Sequence, residues 1–409
     1  DRLEIMKNEE ILDQGFLANC LLREEIRPFF RFELFPHLKS LCLAHFNILY
    51  PLGSFVIDGF AALKELEELR ISIGFRQKGT INIFKGFMKL PLLKKFSLKI
   101  ACIRNEEWDL LEQFLKNQNL LESFILHMMD ASQTLTEYLE QNAYFKNLAN
   151  NLNNLPLLKT LQLRSIFLPL ETLSSGISSL SKINHLEEFE FEASDNTLIS
   201  DTKVRERIEG FWGFIKNQKN SLKRLTIHLP LIFEDNIVTH LAEAISKLTV
   251  LQELHFFINS SETAPTKDLI FLLEALQREI PEKSQKKFTQ PKKWSPSLAK
   301  SFQRLQNLER FSLSFGIFET DQVDSLEWFL DLLKVLPTLE RLQTVQIVSN
   351  SREKFKNIEQ EIVSNIFQLK NIKDIGISFR DQDGPALTIL EEILEEVKKR
   401  QSLRCDLMF

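Results

Sequence analysis

Few residues in this sequence are grouped in a way that could support chemistry. Glu188, Glu190 and Glu192 alternate along one short segment, while His228 and His255 stand in two later segments. Carboxylates and imidazoles can ligate metal ions or transfer protons. Two histidines without a nearby third ligand make a poor zinc site, so we predict no metal centre.

The sequence lacks the common motifs that indicate a catalytic site. It contains no phosphate-binding loop, no G-x-G-x-x-G after a strand, no H-E-x-x-H pair and no nucleophile elbow. We therefore expect a protein that is not an enzyme and that carries no cofactor.

A basic segment at residues 281–297 is the second candidate for binding chemistry. It contains one acidic residue, Glu282, and the aromatic residues Phe288 and Trp294 lie among its lysines. The five lysines are Lys283, Lys286, Lys287, Lys292 and Lys293. Basic charge with interleaved aromatic rings can hold single-stranded nucleic acid or an acidic peptide. A solvated loop, a protein contact and a nucleic-acid contact are all open readings of this segment.

The elements that must position these residues are indicated by an apolar triplet, Leu158-x-x-Leu161-x-Leu163, which recurs along the chain. Such spacing suits a turn that leads into a short strand. Eleven copies begin at Leu38, Leu66, Leu93, Leu121, Leu158, Leu186, Leu222, Leu251, Leu308, Leu342 and Ile372. Successive first positions lie 28, 27, 28, 37, 28, 36, 29, 57, 34 and 30 residues apart. A recurring step of this size marks a repeat architecture.

Between triplets the hydrophobic pattern becomes helical, as in "NEEWDLLEQFLKN" and "DSLEWFLDLLKVL". The unit is therefore strand, loop, helix, loop, and parallel strands joined by helical crossovers follow from it. The 37- and 36-residue steps have room for longer helices. The 57-residue step contains no halfway triplet, so residues 281–297 are interpreted as an inserted loop.

With these features the chain resembles a leucine-rich repeat protein of the long-repeat, ribonuclease-inhibitor-like type over about residues 36–400. The resemblance implies an α/β solenoid, a curved horseshoe of about 11–12 irregular repeats, with a parallel sheet on the concave face and helices on the convex face. The family commonly places Asn or Cys three residues after the triplet, but here only Asn259 and Asn350 conform. We expect the turns to be stabilised in another way.

Three regions complete the predicted domain organisation. Residues 1–35 carry apolar residues at helical spacing and are predicted to form an N-terminal helical cap. Residues 36–409 form the solenoid, including the inserted basic loop. A capping helix at about 385–400 and a last strand in "SLRCDLMF" are expected to close the sheet.

Strand alternation predicts which side chains project from the exposed sheet face. Opposite charges on neighbouring strands are expected to pair, first Glu68 with Lys95, and then Glu188, Arg224, Glu253 and Arg310 in a ladder. Three groups are candidate partner-binding sites: the basic pair Lys95 and Lys99; the acidic stripe Glu188, Glu190 and Glu192 with Arg164, Arg224 and His228 beside it; and the neighbours His228, His255 and Phe257. Lys286, Lys287, Phe288, Lys292, Lys293 and Trp294 of the basic loop join them.

Composition and charge reduce the number of possible function classes further. A net charge of −5 gives no global attraction to nucleic acid or to an anionic membrane, and no apolar run approaches the ~18 residues of a membrane span. Four widely spaced cysteines indicate free thiols in a reducing, cytoplasmic or nuclear setting. The sequence predicts a protein-binding scaffold within a larger intracellular assembly. A regulator of a small GTPase and a nucleic-acid-associated subunit are the alternatives.

Overall fold

The fold is described from a computed structural model for residues 2–5, 32–46, 55–73, 80–101, 103–128, 135–169, 176–180, 182–194, 202–230, 243–259, 303–315, 327–349, 359–366, 368–379 and 404–408. The chain divides into two compact units, Asp1–Leu222 and Lys223–Phe409.

The first unit contains seven parallel strands that pair in chain order. They are β1 (Arg2–Ile5), β2 (Ser40–Phe46), β3 (Glu68–Ile73), β4 (Lys95–Ile100), β5 (Ser123–Met128), β6 (Thr160–Pro169) and β7 (Glu188–Ser194). Its described helices are α1 (Phe55–Ala62), α2 (Thr80–Phe87), α3 (Asn105–Lys116), α4 (Leu135–Leu152) and α5 (Thr202–Asn217), together with a 3-10 turn at Phe32–Leu34.

The second unit repeats this plan with six parallel strands. They are β8 (Arg224–Pro230), β9 (Glu253–Asn259), β10 (Arg310–Phe315), β11 (Thr344–Ser349), β12 (Asp374–Phe379) and β13 (Arg404–Met408). Helices α6 (Glu327–Val335) and α7 (Glu359–Ile366) and a 3-10 turn at Leu336–Thr338 are described in this unit.

The predicted triplets determine the strand register. In the first unit the second triplet position aligns from strand to strand, as Leu69 with Phe96, Phe96 with Phe124, and Phe124 with Leu161. These side chains are almost completely buried against the helices. The predicted fold class, an α/β leucine-rich-repeat fold with a parallel sheet and helices packed on one side of it, is confirmed.

Aromatic rings fill the space between sheet and helices. The ring of Phe87 on α2 contacts that of Phe96 on β4 with centroids 5.1 Å apart, and Phe114 on α3 lies 4.8 Å from Phe96. Phe211 and Phe214 of α5 pack on Phe189 of β7 in the same way. Phenylalanine thus substitutes for leucine within one continuous hydrophobic layer in each repeat, where its larger apolar area is buried.

The two longer steps of the first unit contain long helices, as predicted. α4 has 18 residues and occupies the 37-residue step. α5 has 16 residues, and its central Phe211, Trp212 and Phe214 are all buried. The extra residues of these steps therefore lengthen the helices and leave the strand register unchanged.

A fourth buried position lies three residues before nine of the eleven triplets and was not predicted from the sequence; the equivalent residues before Leu38 and Leu222 are exposed. It is occupied by Leu63, Leu90, Leu155 and Ile183 in the first unit and by Leu248, Leu305, Leu339 and Leu369 in the second. In several repeats the main-chain N–H of the first triplet residue donates to the carbonyl of this residue, for example from Leu308 to Leu305 at 3.0 Å. In these repeats the turn before the strand is fixed by one buried side chain and one local hydrogen bond.

Nine strands, β3–β7 and β9–β12, begin where two successive N–H groups share one main-chain carbonyl of the preceding repeat. The carbonyl of Lys39 accepts the N–H groups of both Glu67 and Glu68, each at 2.9 Å. Equivalent carbonyls at Glu67, Lys94, Glu122 and Lys159, and at Lys223, Gln252, Glu309 and Gln343 in the second unit, do the same at 2.7–3.1 Å. Both lone pairs of these carbonyls are used, so each repeat holds the next in one register.

Two buried glutamine side chains connect neighbouring repeats through the turns that precede the strands. Gln118 occupies the fourth buried position before Leu121, and its Nε2 donates to the carbonyl of Leu90 at 2.9 Å. Gln218 donates from Nε2 to the carbonyl of Ile183 at 2.6 Å and accepts the Leu186 N–H at 3.2 Å. These contacts lie in turns before strands, whereas the family's usual Asn or Cys follows the strand, so the expectation that those later turns are stabilised in another way stays a prediction.

Replacing these two glutamines by leucine should have unequal effects. Gln218→Leu removes two hydrogen bonds and leaves a buried carbonyl and a buried N–H unsatisfied, at about 1–3 kcal/mol each. Gln118→Leu removes one bond and also removes a buried Oε1 that has no partner. We expect urea unfolding to show a clearly larger loss for Gln218→Leu. Equal losses, or a larger loss for Gln118→Leu, would contradict this assignment.

Several predictions fall partly outside the described residues. Residues 2–5 form strand β1 and pair with β2, an extra strand that the sequence did not indicate. The rest of the predicted cap at 1–35 up to Arg31, the loop at 281–297 and the helix at about 385–400 lie outside the description, so the domain organisation stays a prediction. The expected last strand is present as β13. Of the helices that are described, none is long and apolar enough to cross a membrane.

Candidate functional site

The face of each sheet that points away from the helices carries the candidate binding residues. We call the side chains of the first, third and fifth residues of β3–β7 the first open face, and the same positions of β8–β12 the second open face. These positions alternate with buried ones, as the pleat of a strand requires. The predicted column of residues is in register across each unit, for example Glu68 with Lys95 and Lys95 with Ser123.

A column of alternating charge lies beside the first open face and was missed in the sequence. It comprises the residues directly after the first triplet position: Lys39, Glu67, Lys94, Glu122, Lys159 and Glu187. We call it the spacer column. Lys94 Nζ lies 2.9 Å from Glu67 Oε2, and Lys159 Nζ lies 3.2 Å from Glu122 Oε2. The hydrogen bond from Lys94 is the main cause that lowers the pKa of Glu67 below its ordinary value. The charge of this column is therefore largely neutralised within the protein.

Reversing one charge in the spacer column should weaken the fold in a salt-dependent way. Glu122→Lys places a lysine between Lys94 and Lys159 in the column. Each unfavourable contact between like charges should lower the free energy of unfolding by roughly 0.2–1 kcal/mol. We expect a lower free energy of unfolding that recovers when salt is raised, because exposed charges are screened. Asp109→Lys on the exposed side of α3 is the control. If both variants respond equally to salt, the column has no role in stability.

The predicted pair between Glu68 and Lys95 is wrong. Glu68 Oε1 accepts a hydrogen bond from Arg70 Nε at 2.6 Å, and Glu68 Oε2 accepts one from Ser40 Oγ at 3.3 Å. Within the residues that the structure describes, Glu68 makes no ion pair with Lys95. Arg70, which lies on the same strand as Glu68, binds the carboxylate instead of Lys95 on β4.

The acidic stripe is partly neutralised by Arg164, as predicted. Arg164 Nε on β6 lies 2.6 Å from Glu192 Oε2 and 3.2 Å from Glu190 Oε1 on β7. Glu192 is 8% exposed, so its charge is largely removed from water. Arg224 and His228 belong to the second unit, and their predicted approach to the stripe stays a prediction.

Four titratable side chains form one row across the first open face. Lys99 on β4 is in register with His127 on β5, His127 with Arg164, and Arg164 with Glu192. Burial is the largest cause that lowers the pKa of His127 below its ordinary 6.5, and the positive charges of Arg164 and Lys99 lower it further. The negative charges of Glu192 and Glu190 act in the opposite direction and raise this pKa. His127 therefore favours its neutral form in the folded protein.

The pH dependence of stability should report on His127. Because its folded pKa is lowered, its contribution to stability is present above pH 6.5 and is lost as pH falls through the folded pKa. We expect the free energy of unfolding of the wild type to fall more steeply than that of His127→Asn on acidification below this value. Ser123→Asn, on the same strand face, should keep the wild-type slope. Parallel profiles for wild type and His127→Asn would contradict the shift.

The second open face brings together the predicted histidines and phenylalanine. His228 on β8 and Phe257 on β9 are register partners, and their rings stack with centroids 4.1 Å apart and planes 5° apart. His255 Nε2 lies 3.8 Å from Glu253 Oε2, and Arg310 Nη1 lies 3.0 Å from Glu253 Oε1. The predicted pairing of Glu253 with Arg310 is confirmed.

Metal ligation has little support in these groups. Over the described part of the chain, no three His, Cys, Asp or Glu side chains are grouped so that they could hold a metal ion. The predicted basic-loop residues 286–288 and 292–294 lie outside the described residues, so their role stays a prediction.

A row of exposed leucines at the start of three consecutive strands was also missed. Leu92, Leu120 and Leu157 are 41%, 39% and 43% exposed, although the leucine that follows each one is fully buried. Each occupies the position directly before a triplet, in the segments before β4, β5 and β6. We call them the edge leucines. The sequence signal was a doubled leucine in "PLLKK", "LLESF" and "PLLKT", of which only the second member fits the triplet.

Two open-face residues on β5 were also left out of the sequence prediction. Ile125 and His127 are half-buried and follow from the same alternation that identified Lys95 and Lys99. Ile125 is the one aliphatic side chain among the first open-face residues that the structure describes.

Comparison with known proteins supplies no family assignment. No family model matches the chain, and no curated protein matches it. Among solved structures, a protein from Bacteroides fragilis, a structural genomics target, aligns with a TM-score of 0.38 and 14% identity, covering 78% of this chain and 74% of that one. The crystal structure of a TLR13–ssRNA13 complex aligns with a TM-score of 0.34 and 14% identity. It covers 92% of this chain, which spans 51% of the TLR13 chain.

Proposed function

We propose that this protein is a non-enzymatic scaffold that binds other proteins, as a subunit of a larger intracellular assembly. The edge leucines are the observation that carries the proposal. Leu92, Leu120 and Leu157 occupy equivalent positions before neighbouring strands, so their exposed side chains form a row. Exposed apolar side chains that are contiguous and bordered by charge are typical of protein interaction sites.

The charge distribution around this row supports the same function. The spacer column lies two residues further along the chain and pairs Lys94 with Glu67 and Lys159 with Glu122. An apolar strip beside a neutralised polar border matches the composition of interfaces, where charged residues are depleted at the centre and the rim is polar. The long strand-to-strand step and full helices support the long-repeat, ribonuclease-inhibitor-like type. Among the residues that the structure describes, which do not include the basic loop, no specific contact favours the GTPase or nucleic-acid alternatives.

The scaffold proposal is tested by removing the edge leucines. Tagged protein is incubated in native extract, and complexes are separated by size-exclusion chromatography and identified by mass spectrometry. We expect a discrete partner to elute with the wild type and to be lost from the Leu92→Ser, Leu120→Ser, Leu157→Ser triple variant. These side chains are already exposed, so the fold should be maintained.

The matched control places three substitutions on exposed helical positions, Glu106→Ser, Lys116→Ser and Lys146→Ser. It should retain the partner. Thermal melting of all three proteins excludes loss of fold as the cause. A wild type that elutes alone from extract, or a triple leucine variant that keeps every partner, would refute the proposal.

A further inference from the structure

We infer that strands β4 and β5 bind an extended acidic segment of a partner protein, whose side chains follow the order acid-x-apolar-x-acid. Lys95 and Lys99 receive the two carboxylates, and Ile125 contacts the apolar side chain between them. The inference rests on the proposed function, because it names the chemistry of one partner of the scaffold.

Lys95 and Lys99 differ from Lys94, Lys159 and Arg164 in their ionic contacts. Lys94 and Lys159 bind glutamates of the spacer column, and Arg164 binds Glu190 and Glu192. In the part of the chain that the structure describes, the ammonium groups of Lys95 and Lys99 make neither an ion pair nor a hydrogen bond. Their charge is therefore available for a partner.

The nearest acid on the neighbouring strand does not neutralise this pair. Glu68 is in register with Lys95, but its two carboxylate oxygens are bound by Arg70 and by Ser40 of β2, the strand on the side away from β4. On the other side, β5 presents Ser123, Ile125 and His127, none of which is an acid. The two ammonium charges of β4 are therefore not paired with an acid on either neighbouring strand.

The spacing on β4 specifies the ligand. Lys95 and Lys99 are four residues apart on the same side of one strand, which corresponds to about 13 Å at 3.3 Å per residue. Ser97 lies midway between them and is the register partner of Ile125. An extended peptide repeats its side-chain direction every two residues, so positions i and i+4 match the lysines and position i+2 lies at Ile125.

The apolar centre favours a polypeptide over a nucleic acid. Single-stranded nucleic acids bind where aromatic side chains stack on successive bases. The positions between the two lysines offer an aliphatic chain, Ile125, and a small hydroxyl, Ser97. Such a centre suits a leucine or valine side chain of the partner, which gains by burial next to the charge pairs.

The experiment measures binding of a labelled peptide with the central sequence Glu-Thr-Leu-Thr-Glu to the full-length chain by fluorescence anisotropy. A second peptide of identical composition, Thr-Leu-Thr-Glu-Glu, tests the spacing. We expect the first peptide to bind more tightly, with an affinity that falls as salt is raised. The Lys95→Glu, Lys99→Glu double variant should weaken its binding at least about tenfold.

Two controls separate a specific site from general charge. Lys85→Glu with Lys116→Glu makes the same change in net charge on exposed positions of α2 and α3 and should leave the affinity unchanged. Ile125→Asn should weaken the spaced peptide and leave the weaker binding of the rearranged peptide unaffected. Equal affinity for both peptides, an equal effect of the two lysine pairs, or tighter binding of a single-stranded RNA of matched charge would overturn the inference.

The two proposals fail in distinguishable ways. If Lys95→Glu with Lys99→Glu leaves peptide binding intact while the edge-leucine variant still loses its partner, the scaffold stands and the acidic ligand is wrong. If the peptide binds as expected but no partner elutes with the wild type, the open face is a binding surface and the edge leucines are not the interface.

Discussion

The shared carbonyl at the start of strands β3–β7 and β9–β12 is the constraint on which the rest of the structure depends. Two successive N–H groups of one repeat donate to a single carbonyl of the repeat before it, for example from Glu122 and Ser123 to Lys94. This arrangement permits one register only, because a slip of one residue would turn every buried side chain to the open face. The open-face rows and the edge leucines are aligned as a result.

The sequence predicted this fold well because the triplet reports buried positions directly. All eleven copies lie where a described strand begins, and the long helices α4 and α5 occupy the long steps. The fourth buried position was harder to predict because it holds leucine in most repeats but Gln118 before β5. A buried amide fits there only because a carbonyl of the neighbouring repeat accepts its N–H, which no composition rule reveals. Strand β1 is separated from β2 by a long segment and has no complete triplet.

The candidate site was predicted less completely, and the reason is the competition among charges. Arg164 binds the acidic stripe as expected, because the acids on β7 and the guanidinium on β6 are neighbours in register. Glu68 instead binds Arg70 on its own strand, since a long side chain two residues away reaches as easily as one on the next strand. Register can be derived from sequence spacing, but the choice between two reachable partners depends on rotamers.

The alternating spacer column has a consequence for how such an array can change its length. Lysine and glutamate follow one another from Lys39 to Glu187, so the electrostatic pattern repeats every second unit although the backbone repeats every unit. Gain or loss of a single unit would bring two like charges together at the junction. Gain or loss of two units would preserve the alternation. In evolutionary terms, a pair of adjacent repeats is the unit that can be duplicated or deleted without placing like charges side by side.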